Sequence, residues 1–105
     1  MFSGGDYDEV ARWLRNFVTS HAKRENPRVE AVVEAGRGRE GESYGVRLRL
    51  GEALRPPSGA APIELTHDEV ARNRGDLAWC AALADRVRAV ARELSRVGVG
   101  SQRSA

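Results

Sequence analysis

From Pro27 to Gly51 the chain reads PRVEAVVEAGRGREGESYGVRLRLG, and no other stretch limits its fold so sharply. Val29, Ala31, Val33 and Ala35 alternate with Glu30, Val32 and Glu34. Past a glycine-rich break, Tyr44, Val46, Leu48 and Leu50 alternate with Gly45, Arg47 and Arg49. A period of two sends successive side chains to opposite faces, so the two runs predict an antiparallel hairpin with one buried face. Setting Ala35 opposite Tyr44 brings Val33 to Val46, Ala31 to Leu48 and Val29 to Leu50 on the inside. The same register sets Glu30 across from Arg49 and Val32 across from Arg47 on the outside, where opposite charges support it. A slip of one residue would send Tyr44 and Leu48 into water.

The flanks of this hairpin read as helices. At 100° per residue, Tyr7, Val10, Ala11, Leu14, Phe17, Val18 and Ala22 share one face, which predicts an amphipathic helix over 7–24. Asp6 and Glu9 form a capping-box-like start for it, and Asn26-Pro27 stops it. After the hairpin, 52–61 contains Pro56-Pro57-Ser58-Gly59 and reads as a loop. Pro62 to Leu65 predicts a short third strand at an edge, with Ile63 and Leu65 inward. Thr66 and Glu69 make a second capping box. From there the spacing predicts a short helix from His67 to Asn73 and a long one from Leu77 to Val97, with one kinked helix as the alternative. In the long helix Trp79, Cys80, Leu83, Ala84, Val87, Val90, Ala91, Leu94 and Val97 share a face.

The expected architecture is therefore α+β. It is a two-layer sandwich in the order helix, three-stranded antiparallel meander, helix (αβββα), with both helices on one sheet face. One domain covers 6–97, between a flexible lead at 1–5 and a flexible tail at 98–105, since 105 residues are too few for two ordinary domains. The outer sheet face should carry Glu30, Val32, Glu34, Arg47, Arg49 and Glu64. This element order, and the hairpin from Asn26 to Gly51, resemble double-stranded-RNA-binding domains. The resemblance implies a fold rather than that family's binding surface. Where the family has a basic cluster at the start of its second helix, this chain has Asp68, Glu69 and Asp76, which would repel phosphate.

Charge and cysteine content narrow the setting. Seventeen basic residues against fifteen acidic ones leave a net charge of +2. Nearly all the basic residues are arginines, so the high pI reflects residue choice more than a basic protein. Cys80 is the only cysteine and excludes an internal disulfide. With the acidic start MFSGGDYDE, which lacks an apolar segment, and no run of membrane-spanning length, a cytoplasmic location and no membrane partner are expected.

Chemistry-bearing residues are few. His21 lies inside the first helix's apolar stripe near its end, where an imidazolium also suits the helix dipole. His67, Asp68 and Glu69 are a fragment of a ligand set, but a metal needs three or more ligands at fixed geometry, and capping already explains Glu69. Cys80 stands among Ala78, Ala81, Ala82 and Ala84, the setting of a small buried thiol rather than of a nucleophile. The loop Gly36-Arg37-Gly38-Arg39-Glu40-Gly41 joins two strands and so lacks the helix N-terminus of a phosphate-cradling loop. No catalytic, metal or cofactor site is expected.

Two sets of surface residues remain. Trp13 and Trp79 sit at the borders of apolar stripes, and Val32 stands among charges on the outer sheet face; these are candidate interface residues. Arg37 and Arg39 at the hairpin tip, with Arg88, Arg92 and Arg96 at i+4 spacing on the last helix, are candidate nucleic-acid contacts. The expected function is a non-catalytic interaction module that binds protein, with a homodimer as one form. A nucleic-acid-binding domain using the arginines is the first alternative, and a small enzyme centred on Cys80 or His67 the last.

Overall fold

The computed structural model describes residues 7–35 and 42–104, with residues 97–104 through their backbone alone. Seven elements follow in order: α1 (Tyr7–Glu25), β1 (Glu30–Glu34), β2 (Ser43–Leu50), β3 (Ala53–Arg55), β4 (Ile63–Thr66), α2 (His67–Asn73) and α3 (Leu77–Ser104). The class is α+β, with helices packed on an antiparallel sheet. The lead at 1–5 and the Asp6 cap lie outside the described residues.

Hydrophobic alternation does what it predicts. β1 and β2 pair antiparallel with Glu30 opposite Arg49, Ala31 opposite Leu48, Val32 opposite Arg47 and Val33 opposite Val46. Tyr44, Val46 and Leu48 are buried, and Arg49 donates to Glu30 on the outer face.

The other side of β2 differs from the expected single third strand. β3 pairs with Leu48–Leu50 and β4 pairs with Ser43–Val46, so two short strands share one edge of β2. The loop expected over 52–61 contains β3. Gly51, at φ 62, opens the two-residue turn that returns the chain onto β2, a conformation glycine adopts at low cost. Three residues are too few to show a period, and for that reason alternation does not reveal this strand.

Arg47 faces the gap between β3 and β4. It is on the outer face, as its parity requires, but it is buried rather than solvated. Its Nε donates to Glu34 Oε2 at 2.8 Å, and its Nη1 donates to the carbonyls of Pro56 and Pro57 at 2.9 and 2.7 Å. The chain leaving β3 thus covers the outer face here, and the guanidinium satisfies carbonyls that have no strand partner. Val32, opposite Arg47, is half-buried instead of standing alone among exposed charges.

Both expected helical stripes are inward. Val10, Ala11, Leu14, Val18 and Ala22 of α1 are buried, and Leu83, Val87, Ala91 and Leu94 of α3 meet them over Val46, Leu48, Ile63 and Leu65. Tyr44 ties three elements together. Its hydroxyl donates to the Tyr7 carbonyl at 2.8 Å and lies 2.9 Å from His67 Nδ1, while its ring stacks on Tyr7 with centroids 4.6 Å apart.

Two helices, not one kinked helix, follow β4. Thr66 caps α2 with the full reciprocal box to Glu69. Asp76 Oδ1 then accepts from Trp79 N at 3.0 Å and starts α3 afresh. At its far end α3 continues in helical backbone to Ser104, where the composition predicts a tail. Gly98 and Gly100 cost about 1 kcal/mol each relative to alanine, too little to stop a helix already nucleated.

Candidate functional site

The first turns of α3 carry an unusual surface. Leu77 is 86% exposed, and it is the large exposed hydrophobic residue among the described ones. Ala78, Ala81 and Ala82 are exposed around it, while Trp79 and Cys80 are half-buried. Leu77 was not among the sequence candidates, although its position announces it. It stands six residues before the buried Leu83, which turns it about 120° off the inward stripe.

Beside this surface lies an open cavity of about 170 Å³ lined by Leu65, Glu69, Trp79, Ala82, Leu83 and Arg86. It forms where β4, α2 and α3 meet. Its size decides what it can hold, since small-molecule pockets run to about 300–1,000 Å³. This one accommodates a single side chain. Glu69 works twice in building it: one carboxylate oxygen closes the capping box from Thr66 N at 3.4 Å, and the other accepts from Trp79 Nε1 at 3.3 Å. The indole is thereby fixed as a wall, and the cap of α2 and the orientation of Trp79 depend on one carboxylate.

The other interface candidates are placed differently. Trp13 is half-buried on α1, with its ring 5.0 Å from Phe17, which in turn lies 4.5 Å from His21. The indoles of Trp13 and Trp79 lie on different helices, α1 and α3. Val32 faces outward on β1, on the opposite side of the sheet from the helices. Arg37 and Arg39 lie outside the described residues. Arg88 and Arg92 both turn toward Glu25 at the end of α1, at 2.8 and 3.5 Å, and Arg96 is exposed. The spacing at i+4 identifies this stripe; its carboxylate partner, far away in the chain, is not legible from it.

The remaining chemistry-bearing residues have structural roles. Cys80 Sγ donates toward the carbonyls of Arg74 and Asn73 at 3.5 and 3.8 Å. Burial, and then the nearby Asp76 carboxylate, push its pKa up, so the reactive thiolate is disfavoured. His67 is engaged with Tyr44. His21 is held below its ordinary value of 6.5 by burial first and then by Arg24 and Arg88. Among the described residues, no three His, Cys, Asp or Glu side chains come together as a metal site, and no helix is long and apolar enough to cross a membrane. No protein-family model, no curated protein and no solved structure matches this chain.

Proposed function

We propose that this protein is a small non-catalytic interaction module that binds a second copy of itself through the start of α3. The observation that carries this reading is Leu77, almost fully in water at the start of the helix whose next turns, with Trp79, wall a cavity of side-chain size. Burying a leucine on association is favourable by roughly 1.5–3 kcal/mol, and Ala78, Ala81 and Ala82 let another backbone approach closely. The start of α3 carries both signs, with Arg74 and Asp76 in the link before it and Asp85 and Arg86 within it. A copy turned about a two-fold axis can therefore set opposite charges together.

Sedimentation velocity over a wide concentration range tests this directly. The expected result is a sedimentation coefficient that rises with concentration, and a Leu77→Asp variant that stays monomeric with an unchanged thermal midpoint. A monomer at every concentration would remove the homodimer, as would a Leu77→Asp variant that associates as the parent does.

A further inference from the structure

The far half of α3, together with the end of α1, carries positive charge that the fold uses only in part. Arg88 and Arg92 share the single carboxylate of Glu25 through their Nε atoms. The Glu25 side chain is 16% exposed, whereas those of Arg88 and Arg92 are 42% and 52% exposed, so the anion is enclosed and both guanidiniums still reach solvent. Arg24 and Arg96 are exposed on the same two helices. Arg24 and Arg88 are both close enough to His21 to disfavour its protonation. From His21 a row of rings leads away along α1 at i−4 intervals: Phe17 at 4.5 Å, then Trp13 at 5.0 Å from Phe17. All three residues are half-buried at the surface end of the core.

We infer that this face binds single-stranded nucleic acid, with phosphates on Arg24, Arg88, Arg92 and Arg96 and bases against the row His21, Phe17 and Trp13. Two guanidiniums on one carboxylate keep a net positive charge after folding, and that charge attracts an anion. An acidic peptide would satisfy the arginines but gain nothing from the aromatic row, whereas a nucleotide chain brings phosphates and ring faces in alternation. A duplex keeps its bases inside its own stack and cannot offer them to these side chains. The surface is independent of the start of α3. Fifteen residues separate Leu77 from Arg92, about 22 Å along a helix, so either surface can fail without the other.

The test is fluorescence anisotropy of a labelled oligothymidine of about twelve nucleotides, titrated with the full chain at about 50 and 200 mM salt. If about three phosphates are neutralised, affinity falls roughly twenty-fold between the two salts. Arg96→Gln and Arg24→Gln, both at exposed positions, should each lower the salt slope by about 0.7. His21→Gln and Trp13→Leu should weaken binding while leaving that slope unchanged, because they remove ring surface and no permanent charge. Thermal melting of each variant confirms that it is folded, and His21→Gln carries the test if Trp13→Leu is not. Absence of binding at low salt overturns the proposal. So does equal affinity for a duplex or for a glutamate-rich peptide of the same charge, and so does full affinity in both ring variants.

Discussion

The two sides of β2 solve one problem in opposite ways. Toward β1, the strand is matched residue for residue from Glu30 to Glu34, and the outward pair Arg49 and Glu30 meets in water. Toward β3 and β4, the edge is broken, and Arg47, only two residues from Arg49, fills the break with a buried guanidinium. Parity sends both arginines outward, yet their environments share little. An exposed ion pair contributes little to stability, whereas a buried one becomes indispensable once its surroundings are built around it. The difference shows that a strand's outward positions are set by alternation, but their energetic weight is set by whatever crosses over them.

Removing Arg47 should break that contrast most severely. Arg47→Leu removes the donor that the Pro56 carbonyl and the Glu34 carboxylate share with the Pro57 carbonyl, which keeps the Ala60 N–H at 2.8 Å. Glu34 is partly exposed and can recover water, which places the loss at the low end for a broken buried pair, about 3 kcal/mol. Urea unfolding measures it, and proteolysis at 56–62 should accelerate together with it. Arg47→Lys should recover only part, since an ammonium lacks the planar fork that serves three acceptors at once. A loss no larger than that of a surface substitution would mean that the broken edge needs no such filling.

A smaller effect is expected at the other end of the same edge. Tyr44→Phe keeps the ring stacked on Tyr7 and removes only the hydroxyl that joins the Tyr7 carbonyl to His67. Losing one hydroxyl that bridges two half-buried groups should cost about 0.5–1.5 kcal/mol. Hydrogen exchange should quicken in β4 and at the start of α2 while the β1–β2 ladder stays protected. Equal loosening of both sides of β2 would show that the two edges open as one unit.

These contrasts also separate what is legible in the sequence from what is not. The register of β1 on β2, the inward stripe of α1 and the box from Thr66 to Glu69 are local patterns, and each forms as its spacing predicts. β3 was hidden because three residues have no measurable period. The burial of Arg47 was hidden because it depends on a proline-containing loop returning over the sheet. At the candidate surface, the border position of Trp79 was legible and the exposure of Leu77 could be projected from Leu83. The cavity beside Trp79 was not, since Leu65 and Glu69 reach it only after β4 and α2 are in place. The pattern is consistent: side chains whose role depends on their own element are legible, and those whose role depends on a distant segment, such as Arg47 and Glu25, are not.

The mildest test lies at Glu30, on the unbroken side. Its carboxyl is held below the ordinary value of 4.5 first by the hydrogen bond from Arg49 and then by that residue's charge. A carboxyl whose folded pKa is depressed contributes stability above its unfolded pKa and loses it as the pH falls through the folded value. Glu30→Gln should therefore show its full difference from the parent above about pH 4.5, and the two curves should converge as the pH falls through the lower folded value. The pair is solvated, so the gap at neutral pH should be close to the scatter of a thermal melt and should shrink further in about 1 M salt. A gap at Glu30 as wide as that at Arg47 would erase the distinction between the two sides. It would mean that opposite charges facing across β1 and β2 hold this sheet as firmly as the buried guanidinium does.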